Sequence, residues 1–373
     1  MKSISGYAIT FALLLLIALP FTSQAAPIVG GTPSLQESSS PDLSPEFGKI
    51  VLLASGGPTK GKICGVSVVS PYTRVTDRWT QDVAGMSAEW VSILPYAFST
   101  QGDPEVDFDL KRQFWGEQFE GMRELVQQAH KNGLKVMLKP MVWVEGGWVG
   151  GFDFRKESDW LEWEANYRAY IMETARVAAE EKVEMLCVGT EFKIASAKRE
   201  KFWRQLIRDI KKSYSGAITY AANWDEFTQV RFWDQVDYIG LDAYFPLVVA
   251  KTPKVQSMKK SWNQPHKQIQ LLNKIYGKPI LFTEFGYRSI NNCSWRQWEI
   301  QDVPFDKFVN LQAQSNAYQA FFEQFWEEDW FAGVFIWQWY TNDARAGGEN
   351  NSDYTPQNKP AEELIQSWFN RQL

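Results

Sequence analysis

Two short apolar runs in this chain end in the same triplet. Lys278-Pro279-Ile280-Leu281-Phe282-Thr283-Glu284-Phe285-Gly286-Tyr287 and Val183-Glu184-Met185-Leu186-Cys187-Val188-Gly189-Thr190-Glu191-Phe192 both place Thr-Glu-Phe at the carboxyl end of the run. An apolar run of this length, bounded by Pro or Gly, reads as a buried strand. A carboxylate with no partner inside such a strand is expensive. At the open carboxyl end of a parallel strand it is placed for chemistry instead. Two carboxylates facing each other can break a glycosidic bond: one protonates the leaving oxygen and the other captures or stabilises the oxocarbenium-like centre. The two roles need opposite protonation states near neutral pH, so the two environments must differ. Glu284 is assigned as nucleophile and Glu191 as acid/base. Glu145, beside Gly146 and Gly147, is an alternative carboxylate for the second role.

The elements that must hold these groups follow from the apolar periodicity. Eight candidate strands are Ile63–Val69, Trp90–Tyr96, Val136–Val142, Glu184–Gly189, Ile218–Ala222, Tyr238–Asp242, Ile280–Thr283 and Val334–Trp337. Helical segments are expected between them at Phe114–Asn132, Trp160–Glu181, Lys201–Tyr214, Ile269–Tyr276 and Phe308–Glu328, with a last one at Ala361–Phe369. Gly just past a helix is the expected stop signal, as at Gly133 and Gly277. Eight strands alternating with helices predict an α/β chain folded as a single (β/α)8 TIM barrel. An open doubly wound sheet is the alternative, and no Gly-rich phosphate loop follows the first strand to support it. In the barrel, Glu191 and Glu284 close the fourth and seventh strands and face each other across the mouth.

Composition narrows the class. A net charge of -5 over 373 residues gives no sign of nucleic-acid binding. The 18 Trp are the unusual count. About half are expected in a large aromatic core, and those at strand ends and in loops suit stacking on the C–H faces of sugar rings. Two His, both in helix-like segments, argue against a His-based metal site or a Ser-His-Asp triad, and no cofactor is expected. Of the three Cys, Cys64 and Cys187 read as core residues and Cys293 lies in a polar loop. Lys2, the apolar stretch Ile9–Leu19 and Ala25-Ala26 read as a signal peptide over residues 1–26, too short for a confident membrane span. Residues 27–60 are Ser-, Pro- and Gly-rich and read as a linker or irregular entry segment, with room for a short strand at Ile50–Leu53. Residues 61–373 form the catalytic domain. The mature protein is expected in the periplasm or outside the cell, as a monomer with no membrane span.

With an acid/base Glu after strand four and a nucleophile Glu after strand seven, the chain resembles clan A of the retaining glycoside hydrolases, and within it glycoside hydrolase family 113. The motifs that carry the resemblance are Leu138-Lys139-Pro140, Val188-Gly189-Thr190-Glu191, Gly240-Leu241-Asp242-Ala243-Tyr244, Thr283-Glu284-Phe285-Gly286 and Tyr354-Thr355-Pro356-Gln357-Asn358-Lys359-Pro360. The resemblance runs from about Lys60 to the carboxyl terminus. It implies endo-acting β-1,4-mannanase activity on a polysaccharide or oligosaccharide, and it implies that Tyr244 hydrogen-bonds the nucleophile. One departure stands out: many clan members carry Asn before the acid/base Glu, where it binds the sugar 2-hydroxyl, and Thr190 is there instead.

Other strand-end residues complete the expected mouth. Asn223 and Trp224 end the fifth strand and suit a sugar hydroxyl and a sugar ring. Trp337 and Trp339 flank Gln338 after the eighth strand, and Trp337 is expected to floor the subsite at the cleaved bond. Lys139 interrupts an apolar run, to contact a substrate hydroxyl or to pair with a carboxylate. Trp143 and Trp148 are candidate outer platforms. A hydrolase of another β-glycan, such as glucan or xylan, is the alternative within the class. A noncatalytic carbohydrate-binding barrel is the alternative outside it, and two Glu at the expected strand ends argue against that.

The leader predicts a processed protein. N-terminal sequencing of the exported form is expected to begin near Ala26 or Pro27, and an intact Met1 on cytosolic protein in the native host would refute this.

Overall fold

The computed structural model describes residues 61–299 and 309–372. The expected signal peptide, the entry segment and the short strand at Ile50–Leu53 lie outside the described residues. Eight parallel strands close on themselves in the order β1, β8, β7, β6, β5, β4, β3, β2. They are β1 (Ile63–Val68), β2 (Trp90–Ile93), β3 (Lys135–Leu138), β4 (Met185–Thr190), β5 (Ala217–Asn223), β6 (Tyr238–Asp242), β7 (Ile280–Phe285) and β8 (Phe331–Trp339). The helices are α1 (Arg78–Gly85), α2 (Phe119–Lys131), α3 (Glu157–Glu180), α4 (Lys193–Lys198), α5 (Glu200–Ile210), α6 (Val255–Tyr276), α7 (Leu311–Phe325) and α8 (Pro360–Phe369). This is the (β/α)8 barrel expected from the strand–helix alternation. Among the described residues, no helix is long and apolar enough to cross a membrane.

Three departures from the expected elements have local causes. The runs read as Trp90–Tyr96 and Val136–Val142 are each two strands. Pro95 and Pro140 have no N–H for the ladder, and β2 and β3 stop before them. Beyond the prolines the chain pairs again: Tyr96–Thr100 lies parallel to Met141–Glu145 and antiparallel to Asp107–Phe108, in a separate three-stranded sheet. Helix α6 starts at Val255 and runs through Pro265, well before the expected Ile269. Burying Met258, Trp262, Ile269 and Leu272 against the barrel outweighs the one hydrogen bond the proline deletes. Between β5 and β6 there is only a 3-10 turn, Trp233–Gln235.

The interior of the barrel is lined by modest side chains, including Met137, Met185, Cys187, Ala221 and Leu281, with Phe335 filling the centre. The larger apolar layer lies between strands and helices and is strongly aromatic. Nine of the 18 tryptophans are buried, among them Trp163, Trp203 and Trp262, which settles half of the count as core. This layer anchors both Thr-Glu-Phe triplets. Phe192 is 1% exposed and meets Tyr167 edge-on at 4.8 Å, while Phe285 is fully buried with its ring centroid 4.1 Å from that of Phe321. In each triplet the Phe is fixed in the seam outside the barrel, and the preceding Glu is left at the rim. Cys64, Cys187 and Cys293 are all free thiols and all buried, Cys293 included despite its polar sequence context.

The barrel closes where Ile63 of β1 pairs with Gly333 of β8. Gly333 has φ +138°, and a Cβ there would stand 2.2 Å from the Ile63 carbonyl oxygen. Gly333→Ala is therefore expected to destabilise the fold by about 1–3 kcal/mol or more from backbone strain alone. The denaturant midpoint checks this, and an unchanged midpoint would contradict it.

Candidate active site

Glu284 is 6% exposed at the end of β7. In the pairing of β7 with β6, Phe282 meets Leu241 and Glu284 meets Asp242, so Thr283 is passed over. Such irregularities at a barrel rim re-aim the side chains that follow. Here the carboxylate meets two donors. Lys139 Nζ donates to Oε1, and the Tyr244 hydroxyl donates to Oε2 at 2.8 Å. Lys139 is fully buried, and its ammonium also reaches Asp242 Oδ2 at 3.2 Å. Asp242 accepts a further bond at Oδ1 from the Thr283 hydroxyl, at 2.8 Å. Burial by itself would lower the Lys139 ammonium, but the carboxylates of Asp242 and Glu284 outweigh it and hold the group above its ordinary range. Burial, then the charge of Glu284, pushes Asp242 well above the usual carboxyl range. Burial, then the same charge, raises the Tyr244 phenol, which keeps it a donor.

Glu191 follows β4 with φ +58°, a conformation uncommon for a residue with a side chain and most frequent near functional sites. Its amide donates to the Ala221 carbonyl at 2.8 Å, and its Oε2 accepts from the Trp148 indole at 3.0 Å. Burial first, and the Glu284 charge second, raise the Glu191 carboxyl to about 7. The two carboxylates thus differ in their surroundings: Glu284 sits between an ammonium and a hydroxyl, and Glu191 has, among the described residues, a single neutral side-chain donor.

The other expected residues fall as follows. Lys139 takes the carboxylate pairing; with no exposed surface, it is not placed to touch a sugar hydroxyl, which corrects that half of its reading. Asn223 is half-buried at the end of β5, and its Oδ1 accepts from the Trp224 amide at 2.8 Å, which leaves its side-chain NH2 without a partner among the described residues. Trp224 stacks with Trp298 of the loop after β7 at 5.8 Å. Trp143 is half-buried on the strand Met141–Glu145, and Glu145 at its end is exposed. Trp337 and Trp339 diverge although they are two residues apart. The pairing with β1 passes from Trp337 to Trp339 over Gln338, which leaves Trp337 half-exposed and Trp339 buried in the outer layer. Thr190 turns its hydroxyl to the Pro140 carbonyl at 3.3 Å and is 3% exposed. Both His lie away from this cluster, paired with Glu184 and Glu328. Among the described residues, no group of three or more His, Cys, Asp or Glu is placed to hold a metal ion.

Two contacts of this cluster go beyond the sequence reading. Asp242, like Glu284, is a carboxylate closing an apolar strand, and it shares the Lys139 ammonium. Trp148, a candidate platform by sequence, also donates its indole N–H to Glu191.

The family model of Glycoside Hydrolase Family 113 matches residues 73–359. Among solved structures, the chain is similar to the family 113 β-mannanase of Alicyclobacillus acidocaldarius in complex with ManMIm, at 25% identity and a TM-score of 0.74, covering 84% of this chain and 98% of that one. A second structure, a family 113 β-1,4-mannanase, shares 27% identity at a TM-score of 0.71, covering 83% of this chain and 99% of that one. A β-glucuronidase of Ruminococcus gnavus, at 12% identity and a TM-score of 0.59 over 83% of this chain and 50% of that one, shares the barrel fold alone. Comparison with curated protein sequences finds no match.

The coupling of the two carboxylates can be measured directly. By 13C NMR, Glu191 is expected to titrate near 7 in the unmodified protein. Glu284→Gln removes a negative charge and leaves Lys139 in place, so the Glu191 titration is expected to move down. An unchanged or raised value would show that Glu284 does not act on Glu191.

Proposed function

This chain belongs to glycoside hydrolase family 113 and is a glycoside hydrolase, and on that premise we propose that it is an exported, retaining endo-β-1,4-mannanase. The observation that carries the mechanism is the asymmetry of the two strand-end carboxylates. Glu284 accepts from Lys139 and Tyr244, and Glu191 is raised to about 7. The substrate assignment is supported by similarity to structures described as β-mannanases. Export is supported by the leader pattern of Lys2, Ile9–Leu19 and Ala25-Ala26.

In the first step the Glu284 carboxylate attacks the anomeric carbon. The bond from that carbon to the leaving oxygen breaks, and Glu191 gives its proton to that oxygen. A glycosyl ester on Glu284 results, with Glu191 now ionised. Forming the ester removes the charge of Glu284, which had raised Glu191. In the second step Glu191 takes a proton from water, the water oxygen bonds to the anomeric carbon, and Glu284 leaves as the carboxylate. Two displacements at one carbon keep its configuration.

Sugar binding falls to the groups around this pair. The half-exposed Trp337 suits a stacking face on β8, whose backbone lies close to the residues just after Glu284: a Cβ on Gly286 would lie 2.3 Å from the Trp337 carbonyl oxygen. Trp224 and Trp143 offer further aromatic faces. Thr190 is buried and committed to Pro140, so the 2-hydroxyl contact that Asn makes in related enzymes needs another donor. Asn223 suits it, because its Oδ1 is fixed by the Trp224 amide and its NH2 is left to the mouth.

Reducing-sugar release is expected from mannan and not from glucan or xylan, with Glu191→Gln and Glu284→Gln inactive. Proton NMR should show the β-anomer as the first product from a β-linked substrate. Azide should partly restore cleavage of an activated glycoside by Glu284→Ala, with inverted configuration. First release of the α-anomer would exclude double displacement, and release from glucan or xylan alone would overturn the mannanase assignment.

A further inference from the structure

The mechanism above leaves one buried carboxylate of the mouth unused. Glu226 lies on the loop after β5 and has no exposed surface. Its Oε1 accepts from the Tyr220 hydroxyl at 2.5 Å and from the Ser196 hydroxyl at 2.7 Å, and its Oε2 accepts from the Asn223 amide at 3.0 Å. Tyr220 belongs to β5, and Ser196 to α4 on the loop after β4. The Tyr220 hydroxyl in turn accepts from the Phe192 amide at 3.0 Å. Phe192 is the residue after Glu191, so this buried chain of bonds ends on the backbone that carries Glu191 in its φ +58° conformation.

An ordinary packing role does not account for this arrangement. An apolar side chain would fill the same space without desolvating a carboxylate. What a carboxylate adds is two oxygens that can accept from three donors at once, two on β5 and one on α4. The same two loops are also tied by Lys193 and Asp225 at 2.6 Å, but both side chains are about a third exposed, and such pairs contribute little. The tie that is kept dry is the one through Glu226.

We propose that Glu226, acting through Tyr220, is the positioning residue for Glu191: it holds the acid/base carboxyl at the leaving oxygen, and so serves proton transfer more than nucleophilic attack. This rests on the assignment of Glu191 given above. The two steps can be separated by the leaving group. A sugar oxygen needs a proton as it departs, whereas a dinitrophenolate departs without one.

The test compares kcat/KM for Glu226→Gln, Tyr220→Phe and Glu191→Gln on two substrates: the β-linked oligosaccharide identified by the reducing-sugar panel, and the dinitrophenyl glycoside of the same sugar. Glu226→Gln and Tyr220→Phe are expected to lose on the order of 10²-fold on the oligosaccharide, the scale of a misplaced catalytic group, and far less on the dinitrophenyl glycoside. Glu191→Gln should show the same split with a loss of about 10²–10⁴-fold on the oligosaccharide. If Glu191→Gln shows the split while Glu226→Gln and Tyr220→Phe lose equally on both substrates, or lose nothing, the positioning role is overturned and the assignment of Glu191 stands. If Glu191→Gln itself shows no split, that assignment falls and the inference with it. Circular dichroism checks folding. If Glu226→Gln does not fold, Tyr220→Phe, which keeps the ring and the other two donors to Glu226, carries the same comparison.

Discussion

Lys139 lies without exposed surface between Glu284 and Asp242, and taking each ion out of water carries an effective penalty of several kcal/mol. The arrangement is tolerable only because the charges meet and their remaining sites are hydrogen-bonded, Glu284 by Tyr244 and Asp242 by Thr283. One ammonium cannot balance three neighbouring carboxylates. It stands closest to Glu284, and burial first, with the charge of Glu284 second, pushes Asp242 well up and Glu191 to about 7. A carboxylic acid that survives near neutral pH thus follows from burial first, and then from a mouth in which one ammonium faces three carboxylates.

Holding that balance is a task for the barrel rim. Pro140 ends β3 so that Lys139 is the last residue before the break, and the register slip in β7 aligns Glu284 with Asp242. Behind each strand-end Glu a Phe is locked into the aromatic seam, Phe192 beside Trp163, Tyr167 and Trp203, and Phe285 beside Tyr318 and Phe321. Rings packed edge to face resist displacement, because interiors are close-packed and a shift of one ring must move its neighbours. The apolar layer outside the strands thereby sets the position of polar groups inside the mouth. The proposed tie from Glu226 to the Phe192 amide adds a directional polar constraint to the same backbone.

The aromatic richness of the chain serves two physical ends. Buried rings such as Trp163, Trp203 and Trp262 build the seam between strands and helices, while Trp148, at 40% exposed, and Trp298, at 42%, stand at the surface. Trp148 joins the two uses, since its indole N–H holds Glu191 while its ring remains accessible to solvent. Trp337 and Trp339 show how little sequence spacing says about such a choice. A skipped residue in the β1–β8 pairing leaves one half-exposed and sends the other to the core.

Local patterns determined a good deal. The alternation of apolar strands and amphipathic helices dictated the barrel, because each element must bury one face against another. The Thr-Glu-Phe triplets marked both carboxylates, because a charge at the end of an apolar strand has few inexpensive places to go. Tertiary structure decided what sequence spacing does not encode. Lys139 finds its partners 103 and 145 residues away, and Glu226 is buried by a tyrosine on its neighbouring strand and a serine 30 residues back. The two broken runs at Pro95 and Pro140, the register slips in β7 and β8 and the positive φ of Glu191 depend on how strands align around a closed cylinder. Charge pairing, burial and the direction of a side chain at the rim are properties of that closure. No stretch of the chain contains them, because the dielectric around a group and the partners within reach exist only once distant segments have packed.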